Sequence, residues 1–170
     1  MLVKSLHHVA YRCRNAKETA DFYTKALGLT YLMAVSSDTV GSTGEHSPHF
    51  HLFFEMEDGS HVAFFEVPEA EPMGFDPNTP DWVQHLALRV GSMEELLEAK
   101  DRLEALSLEV LGPTDHGICQ SIYFHDPNGH RLELAFPTHT DEMVAALKQN
   151  ALPMLDQWDR TKRAVPGPLG

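Results

Sequence analysis

The chain has 170 residues and a formal net charge of −12, because 25 Asp and Glu outnumber 13 Lys and Arg. Nucleic-acid binding needs a basic surface and no cluster of Lys or Arg occurs, so the composition excludes nucleic acid as a partner. The sequence has no run of about 18 apolar residues, which predicts no membrane span and no signal peptide, and therefore a cytoplasmic protein. Cys13 and Cys119 lie far apart without a CxxC spacing, which predicts two free thiols.

Residues 1–68 read as one βαβββ unit. The first strand alternates with period two and carries His8 on its inward face. Asn15, with Glu18 three residues later, predicts the N-terminus of a helix that follows this strand. The strands are predicted at 6–13, 29–35, 49–56 and 61–67, with a long loop at 36–48 and a tight turn at 57–60.

Residues 69–81 are rich in proline and predict a linker, after which the pattern begins again in residues 82–137. Ser92 and Glu95 form the capping box of a second helix. Strands are predicted at 82–90, 108–111, 121–124 and 131–136. This repeated element order is an internal duplication, and it predicts an α+β fold made of two tandem βαβββ modules.

Residues 138–170 repeat neither module. The segment from Asp141 to Trp158 has amphipathic spacing and predicts a C-terminal helix, interrupted near Pro153 because proline lacks a backbone donor. Such a helix covers a sheet edge or a dimer partner, or it acts as a lid over a site. The sequence leaves these alternatives open.

Two histidines fall at matching places in the repeat. The segments HHVAYRC and QHLALRV align His8 with His85, and Glu133 follows the turn of the last hairpin. Taken alone, such a carboxylate is typical of a solvent-facing residue on an edge strand, and each histidine is typical of a surface or hydrogen-bonded residue. In this pairing of the repeats, the two histidines occupy equivalent inward positions on equivalent strands.

The chain resembles the vicinal oxygen chelate superfamily over residues 3–137. This superfamily holds glyoxalase I, extradiol ring-cleaving dioxygenases, methylmalonyl-CoA epimerase, fosfomycin-resistance transferases and metal-free bleomycin-binding proteins. The likeness rests on the segments LHHV, FYTKALGL, HLAL and DPNGHRLEL, which begin at Leu6, Phe22, His85 and Asp126. It implies that the two modules curl their eight strands into an open, barrel-like mixed sheet.

The resemblance implies that the metal ligands are His8, His85 and Glu133. It favours Fe2+ as the metal, with Zn2+, Ni2+, Co2+, Mg2+ and Mn2+ as alternatives, and leaves open positions for substrate oxygens and dioxygen. Glyoxalase I and its relatives use a fourth ligand, for which Glu66 is the candidate. Aligning the modules by their closing prolines instead places Phe64 opposite Glu133, which favours a three-ligand site.

Two side chains match those of the ring-cleaving dioxygenases in kind, and a third is a further candidate for substrate contact. Tyr123 lies ten residues before Glu133, where those enzymes keep an active-site tyrosine. His61 opens the strand whose counterpart carries their acid–base histidine, although its register does not match. His116 is a further candidate for holding a substrate hydroxyl, since an imidazole takes and returns a proton near neutral pH.

The resemblance therefore predicts an enzyme, and most directly an Fe2+ extradiol-type dioxygenase that opens the ring of a catechol-like diol. A glyoxalase- or epimerase-like lyase or isomerase working through an enediolate, and a metal-free binding protein, are the alternatives. A small aromatic or apolar substrate with vicinal oxygens is expected in a pocket lined by Phe50, Phe53, Phe64 and Tyr123. Paired modules leave sheet edges that dimerisation closes, so we expect a homodimer.

Overall fold

The computed structural model describes residues 2–164 and residue 167. In chain order, the elements are β1 (His8–Cys13), α1 (Ala16–Lys25), β2 (Thr30–Thr39), β3 (His46–Glu55), β4 (His61–Glu66), β5 (Leu86–Arg89), α2 (Met93–Ala105), β6 (Leu111–Asp115), β7 (Cys119–His125), β8 (Arg131–Pro137) and α3 (Asp141–Thr161). The first five elements form one βαβββ module and the next five form a second. The predicted duplication is confirmed.

Each module contributes a four-stranded mixed sheet. The strand orders are β1-β4-β3-β2 and β5-β8-β7-β6, so the two sheets have the same topology. In each sheet the first strand pairs in parallel with the last, while the three later strands pair antiparallel. The described residues form open sheets rather than a closed barrel, and the α+β fold of two tandem modules is confirmed.

The helices cover one face of the sheets. Asn15 accepts a hydrogen bond from the backbone N–H of Glu18 and begins α1, while Ser92 caps α2 in the same way. The fully buried Tyr23 of α1 packs against Phe64 of β4, with 4.7 Å between ring centroids. Burial of these apolar faces is the main stabilising term of such a fold.

Alternation along the strands places the polar side chains on the other face. Since Phe64 faces α1, its neighbour Ala63 points away from the helices, and so does His8, which pairs through β1 with His61. The same alternation in β8 puts Leu134 among the buried core residues and Glu133 on the opposite face. The candidate ligands therefore lie on the sheet faces that the helices leave uncovered.

A turn of the second module fastens the two modules together. Asn128 accepts a hydrogen bond from the backbone N–H of Arg14 at 2.8 Å and donates one to the hydroxyl of Thr19 at 3.1 Å. The hydroxyl of Tyr23 donates to Asp126 at 3.2 Å. Both side chains of the turn are buried, so the contact forms part of the core.

Several predicted boundaries are wrong. The expected loop at 36–48 is mostly a hairpin, because Ser36, Ser37 and Thr39 pair with β3 through their backbones, which their polar side chains do not reveal. The expected strand at 82–90 is confined to Leu86–Arg89, and the strand expected at 108–111 lies at Leu111–Asp115. Backbone pairing to a neighbouring strand decides all three boundaries.

The C-terminal helix differs from its prediction at Pro153. α3 is 21 residues long and includes this proline, so the expected interruption is absent. None of the described side chains of α3 is buried, and Leu152, Leu155 and Trp158 are exposed. Among the described residues, no helix is both long and apolar enough to cross a membrane.

Candidate metal centre

The second module brings a histidine and a carboxylate together. His85 lies immediately before β5, which pairs in parallel with β8, the strand that carries Glu133. The Nε2 atom of His85 is 2.9 Å from Oε2 of Glu133. Glu133 is buried to 6% exposure, while the His85 side chain retains 31%. The buried carboxylate and the half-exposed imidazole together form a pair of potential metal ligands, of which the imidazole is in contact with solvent.

Ser121 fixes the second oxygen of this carboxylate. Its hydroxyl, fully buried on β7, donates a hydrogen bond of 2.5 Å to Oε1 of Glu133. The Sγ atom of Cys119 lies 3.5 Å from the oxygen of the same hydroxyl. With Oε1 held by Ser121, the carboxylate presents Oε2 on the side of His85. A buried carboxylate needs such partners, because leaving it unpaired costs several kcal/mol.

Tyr123 and His116 lie next to this pair. Tyr123 sits directly opposite Glu133 in the β7–β8 ladder, and its hydroxyl is 2.7 Å from Nε2 of His116. Burial, and then the neighbouring Glu133 carboxylate, raise the pKa of Tyr123. The phenol therefore stays protonated near neutral pH. The guanidinium of Arg131 covers its ring at 4.8 Å from the centroid.

The first module holds a cluster of histidines around His8. The Nδ1 atoms of His7 and His8 lie 2.7 Å apart, within hydrogen-bond distance. His61 stands beside His8 in the sheet, with its Nδ1 atom 3.1 Å from the carbonyl oxygen of His7 and its Nε2 atom 3.9 Å from Glu55. Its side chain therefore stays on the uncovered face near His8.

The structure does not bring His8 to the pair formed by His85 and Glu133. Within residues 2–164 and 167, no group of three or more His, Cys, Asp or Glu side chains could hold a metal ion. The candidate ligands therefore lie in two separate groups, one on the uncovered face of each sheet. We call these the His8 half-site and the His85–Glu133 half-site.

Glu66 belongs to neither half-site. Its Oε2 atom accepts a hydrogen bond of 2.6 Å from the backbone N–H of Ala16, the first residue of α1. A carboxylate is stabilised there by the partial positive charge of the helix N-terminus. Glu66 therefore faces the helix side of the sheet, away from His8. The expectation that it supplies a fourth ligand is not supported.

The hairpin register corrects the alignment of the two modules. Glu55 pairs with His61 across the first hairpin, and His125 pairs with Arg131 across the second, with loops of equal length. Counted from these pairs, the counterpart of Glu133 is Ala63, and Phe64 is a core residue. Alignment by the closing prolines is displaced by one residue, which exchanges the two faces of the strand.

The same register corrects the expected aromatic lining. Phe53 is the counterpart of Tyr123 and shares the uncovered face with His8, whose ring centroid is 5.6 Å away. Phe50 and Phe64 alternate onto the helix side, so they do not line this face. A groove of about 1040 Å3 lies elsewhere, between the turn that contains Asp58 and helix α2, and includes none of the proposed ligands.

A family model for the Glyoxalase/Bleomycin resistance protein/Dioxygenase superfamily matches residues 5–134. The chain belongs to this superfamily. Members of this superfamily include dioxygenases and lyases that act on small molecules.

The chain is also similar to individual members of the superfamily. It is 28% identical over 157 residues to MhqA of Bacillus subtilis (strain 168), whose name describes it as a provisional ring-cleaving dioxygenase; the match covers 90% of this chain and 46% of MhqA. The chain thus spans about half the length of this relative. A glyoxylase/bleomycin resistance protein/dioxygenase domain from Frankia sp. EAN1pec shares the fold, with a TM-score of 0.65 and 19% identity. The match covers 79% of this chain and 98% of the Frankia domain.

A third similar protein has been solved with a divalent metal. The fosfomycin resistance protein FosX from Listeria monocytogenes, complexed with Mn(II) and sulfate, matches with a TM-score of 0.56 and 21% identity. The match covers 83% of this chain and 97% of FosX. The superfamily therefore contains members that bind divalent metals.

Sequence reasoning missed His51, Ser121 and Ala63. His51 lies on the uncovered face of β3, and its Nε2 atom is buried without a hydrogen-bond partner among the described residues. Burial, with smaller effects from His8 and His49, lowers the pKa of His51 to about 4. Counting from the two hairpin turns would have found all three positions, since His51 and Ser121 are equivalent and Ala63 matches Glu133.

Proposed function

We propose that this member of the superfamily is an Fe2+-dependent, extradiol-type ring-cleaving dioxygenase that acts on a catechol-like diol. The observation that carries the proposal is the ligand set, in which Ala63 replaces a possible fourth carboxylate and leaves His8, His85 and Glu133. Two imidazoles and one carboxylate with open positions are typical of non-haem Fe2+ oxygenases. The 28% identity to MhqA supports the same reaction class.

The proposal includes a homodimer that completes the metal site. His8 of one copy joins His85 and Glu133 of a second copy, because the two half-sites do not meet within one chain. The length relationship supports this arrangement, since this chain spans 46% of MhqA and two copies supply a comparable number of modules. A closed two-fold dimer would form two such sites.

The donors present fit a divalent metal. Oε2 of Glu133 and Nε2 of His85 converge at 2.9 Å, and Ser121 holds the other carboxylate oxygen. The contact of His7 with Nδ1 of His8 leaves Nε2 of His8 free for a metal. Fe2+ held by these residues would supply the chemistry that binds the diol and activates dioxygen. Zn2+, Ni2+, Co2+, Mg2+ and Mn2+ are the alternative occupants.

Three side chains handle the substrate in this proposal. The Tyr123 hydroxyl binds a diol oxygen, and its contact with His116 at 2.7 Å orients it. His116 holds the substrate hydroxyl from the same side. His61, next to His8 in the sheet, accepts and returns the diol proton. Both atoms of dioxygen enter the product, so the reaction needs no external reductant.

The alternatives find less support in the geometry. A four-ligand, glyoxalase-like lyase or isomerase would need a carboxylate on the uncovered face of β4, where Ala63 stands. A metal-free binding protein gives no reason for a buried carboxylate held by both Ser121 and His85. We propose that the protein is a soluble, cytoplasmic enzyme that acts on a small molecule.

The test is metal analysis of protein purified without oxygen, followed by oxygen uptake on a panel of catechols. The expected result is iron in stoichiometric amount and oxygen uptake with a yellow ring-cleavage product. Iron without oxygen uptake on any diol would overturn the dioxygenase assignment. Two results together would favour the metal-free binding protein: the purified protein contains no metal, and the His8→Ala variant is as stable as the wild type.

A further inference from the structure

Arg131 and Tyr123 are in contact on the uncovered face of the second sheet. In the β7–β8 ladder, Arg131 pairs with His125, which lies two positions beyond Tyr123. The two side chains are therefore diagonal neighbours, a separation that an arginine side chain spans. The guanidinium carbon lies 4.8 Å from the centroid of the Tyr123 ring. A guanidinium in this place is attracted by the negative face of the ring, so the contact holds the ring.

The guanidinium is itself held from the linker between the modules. Its Nη1 atom lies 3.0 Å from Oδ2 of Asp81. The Arg131 side chain is 14% exposed, whereas the Asp81 side chain is 68% exposed. An ion pair with a mostly solvated partner contributes little to stability, so the main effect of this contact is to orient the guanidinium.

The Tyr123 hydroxyl lies next to the proposed metal ligands. It is 2.7 Å from Nε2 of His116, and the Tyr123 ring meets the His85 ring edge-on, with 6.2 Å between centroids. The Tyr123 side chain is half-buried, so packing in the core does not fix its position. The contacts described here form a continuous chain from Asp81 to His116.

The first module offers a matched comparison. At the positions equivalent to Tyr123 and Arg131, it has Phe53 and His61. These two rings lie 6.4 Å apart and are nearly perpendicular, at 87°. The shared fold does not need the arginine, because the first hairpin forms without one at this position. The hydroxyl and the guanidinium instead occur together, in the module that carries Glu133.

We propose that Arg131, oriented by Asp81, is a positioning residue that holds the Tyr123 hydroxyl in place for the bound diol. The inference rests on the proposed function for the contact with the diol, and it extends the substrate-binding machinery to the linker. Two other roles are possible for such a cation, namely balancing the charge of Glu133 and binding the diol directly. Neither role acts through the Tyr123 hydroxyl, so the three are separable by experiment.

The first test is a double-mutant cycle on the binding of 4-nitrocatechol to Fe2+-loaded protein without oxygen, followed by the change in its absorbance. Arg131→Met keeps the length of the side chain and removes the cation, while Tyr123→Phe keeps the ring and removes the hydroxyl. The double variant, Asp81→Asn and the control Arg89→Met complete the set. Arg89 is an exposed cation on the same sheet face, on the other side of Glu133 along the strands.

The expected Kd for 4-nitrocatechol is about tenfold higher in Tyr123→Phe, which loses one hydrogen bond, and about fivefold higher in Arg131→Met. Asp81→Asn should raise the Kd by about twofold, because a solvated ion pair is weak. In the Tyr123→Phe background, Arg131→Met should change the Kd by less than about twofold, because the hydroxyl that it positions is gone. Arg89→Met should bind 4-nitrocatechol like the wild type.

The second test needs neither metal nor substrate. Diethyl pyrocarbonate acylates free imidazole nitrogens, and mass spectrometry of the peptides gives the rate at each histidine. The Tyr123 hydroxyl contacts Nε2 of His116, so Tyr123→Phe should accelerate the labelling of His116. Arg131→Met should accelerate it to a similar rate, while the exposed His46 of β3 serves as the internal standard.

Three results would overturn the inference. An equal rise in Kd for Arg131→Met with and without Tyr123→Phe would show that Arg131 contacts the diol itself. A loss of Fe2+ affinity in Arg131→Met would show a charge effect on Glu133. Unchanged labelling of His116 in Arg131→Met would show that the hydroxyl keeps its position without the cation. Circular dichroism checks the folding of each variant, and if Arg131→Met does not fold, the exposed Asp81→Asn carries the same comparison.

Failure of the proposed function has a different signature. If the Fe2+-loaded wild type does not bind 4-nitrocatechol, the diol assignment fails. If Tyr123→Phe binds it as well as the wild type does, Tyr123 has no role in holding the diol. In both cases the labelling of His116 decides by itself whether Arg131 positions Tyr123.

Discussion

Ala63 and Glu133 occupy equivalent positions in two hairpins of the same length, and only Glu133 carries a carboxylate. In the proposed metal site, this asymmetry leaves three protein ligands instead of four. With Glu66 bonded to the N-terminus of α1, the first module contributes His8 alone to the proposed metal site. The two modules share one fold and differ in the chemistry of their uncovered faces.

Ser121→Ala should weaken metal binding without unfolding the protein. The substitution removes the hydrogen bond that orients the Glu133 carboxylate, and losing such a support typically lowers metal affinity by about 10- to 100-fold. Titration with Co2+, followed by its visible absorption, measures the change. Ser121→Thr keeps the hydroxyl and should retain the affinity. Equal weakening in the control Ser36→Ala, on an exposed strand, would contradict a specific role for Ser121.

Mixing two inactive variants should restore activity if the site is shared between copies. His8→Ala and Glu133→Gln each disable both sites of their own homodimer, but a mixed dimer contains one intact site. After denaturation and refolding together, random pairing should recover about one quarter of wild-type activity.

A matched mixture tests the same arrangement. Glu133→Gln and His85→Ala alter the same half-site, so no mixed dimer has an intact set of three ligands and no activity should return. Recovery in this control, or its absence in the first mixture, would show that the ligands are not divided between two copies in the proposed way.

Glu66→Gln should lower stability and leave the metal unaffected. The variant removes the negative charge next to the first backbone N–H of α1, which should reduce the free energy of unfolding by about 1 kcal/mol. Urea denaturation measures this loss, and Co2+ titration should give the wild-type affinity. A large fall in metal affinity would instead make Glu66 a ligand.

The two cysteines should react at very different rates. Burial raises the pKa of Cys13 to about 11, while Cys119 is half-buried. A thiol reagent at pH 8 should label Cys119 quickly and Cys13 after unfolding, as mass spectrometry of the labelled peptides would reveal. Rapid labelling of Cys13 in native protein would contradict its buried position.

The raised pKa of Cys13 also predicts alkaline sensitivity. The folded state holds the thiol proton more tightly than the unfolded state, whose ordinary value is 9.0, so this contribution to stability is complete below pH 9. It is lost as pH rises from 9.0 to about 11. Urea midpoints of Cys13→Ala should fall less than those of wild type over this range.

Local sequence signals were sufficient for the modules and their helices. Asn15 and Ser92 precede helices because their side chains bond backbone N–H groups a few residues away, and such short-range contacts are legible in sequence. The equivalence of His8 and His85 could also be predicted from sequence. His8 is the first residue of β1, and His85 immediately precedes β5. The correct alignment of β4 with β8 could not be predicted in this way, because aligning the two prolines that follow these strands shifts it by one residue.

The amino-acid sequence was sufficient to predict the duplicated βαβββ order and the equivalence of His8 and His85, because local motifs carry both. It was not sufficient to assign the sheet faces, since it placed Phe50 and Phe64 in the lining of the site. Which side chains come into contact depends on the pairing of the strands. Strand pairing put Ser121 and His85 on Glu133 and turned Glu66 towards α1. It also left His8 and His51 on a separate module, since contacts between distant segments depend on how sheets pack rather than on local sequence.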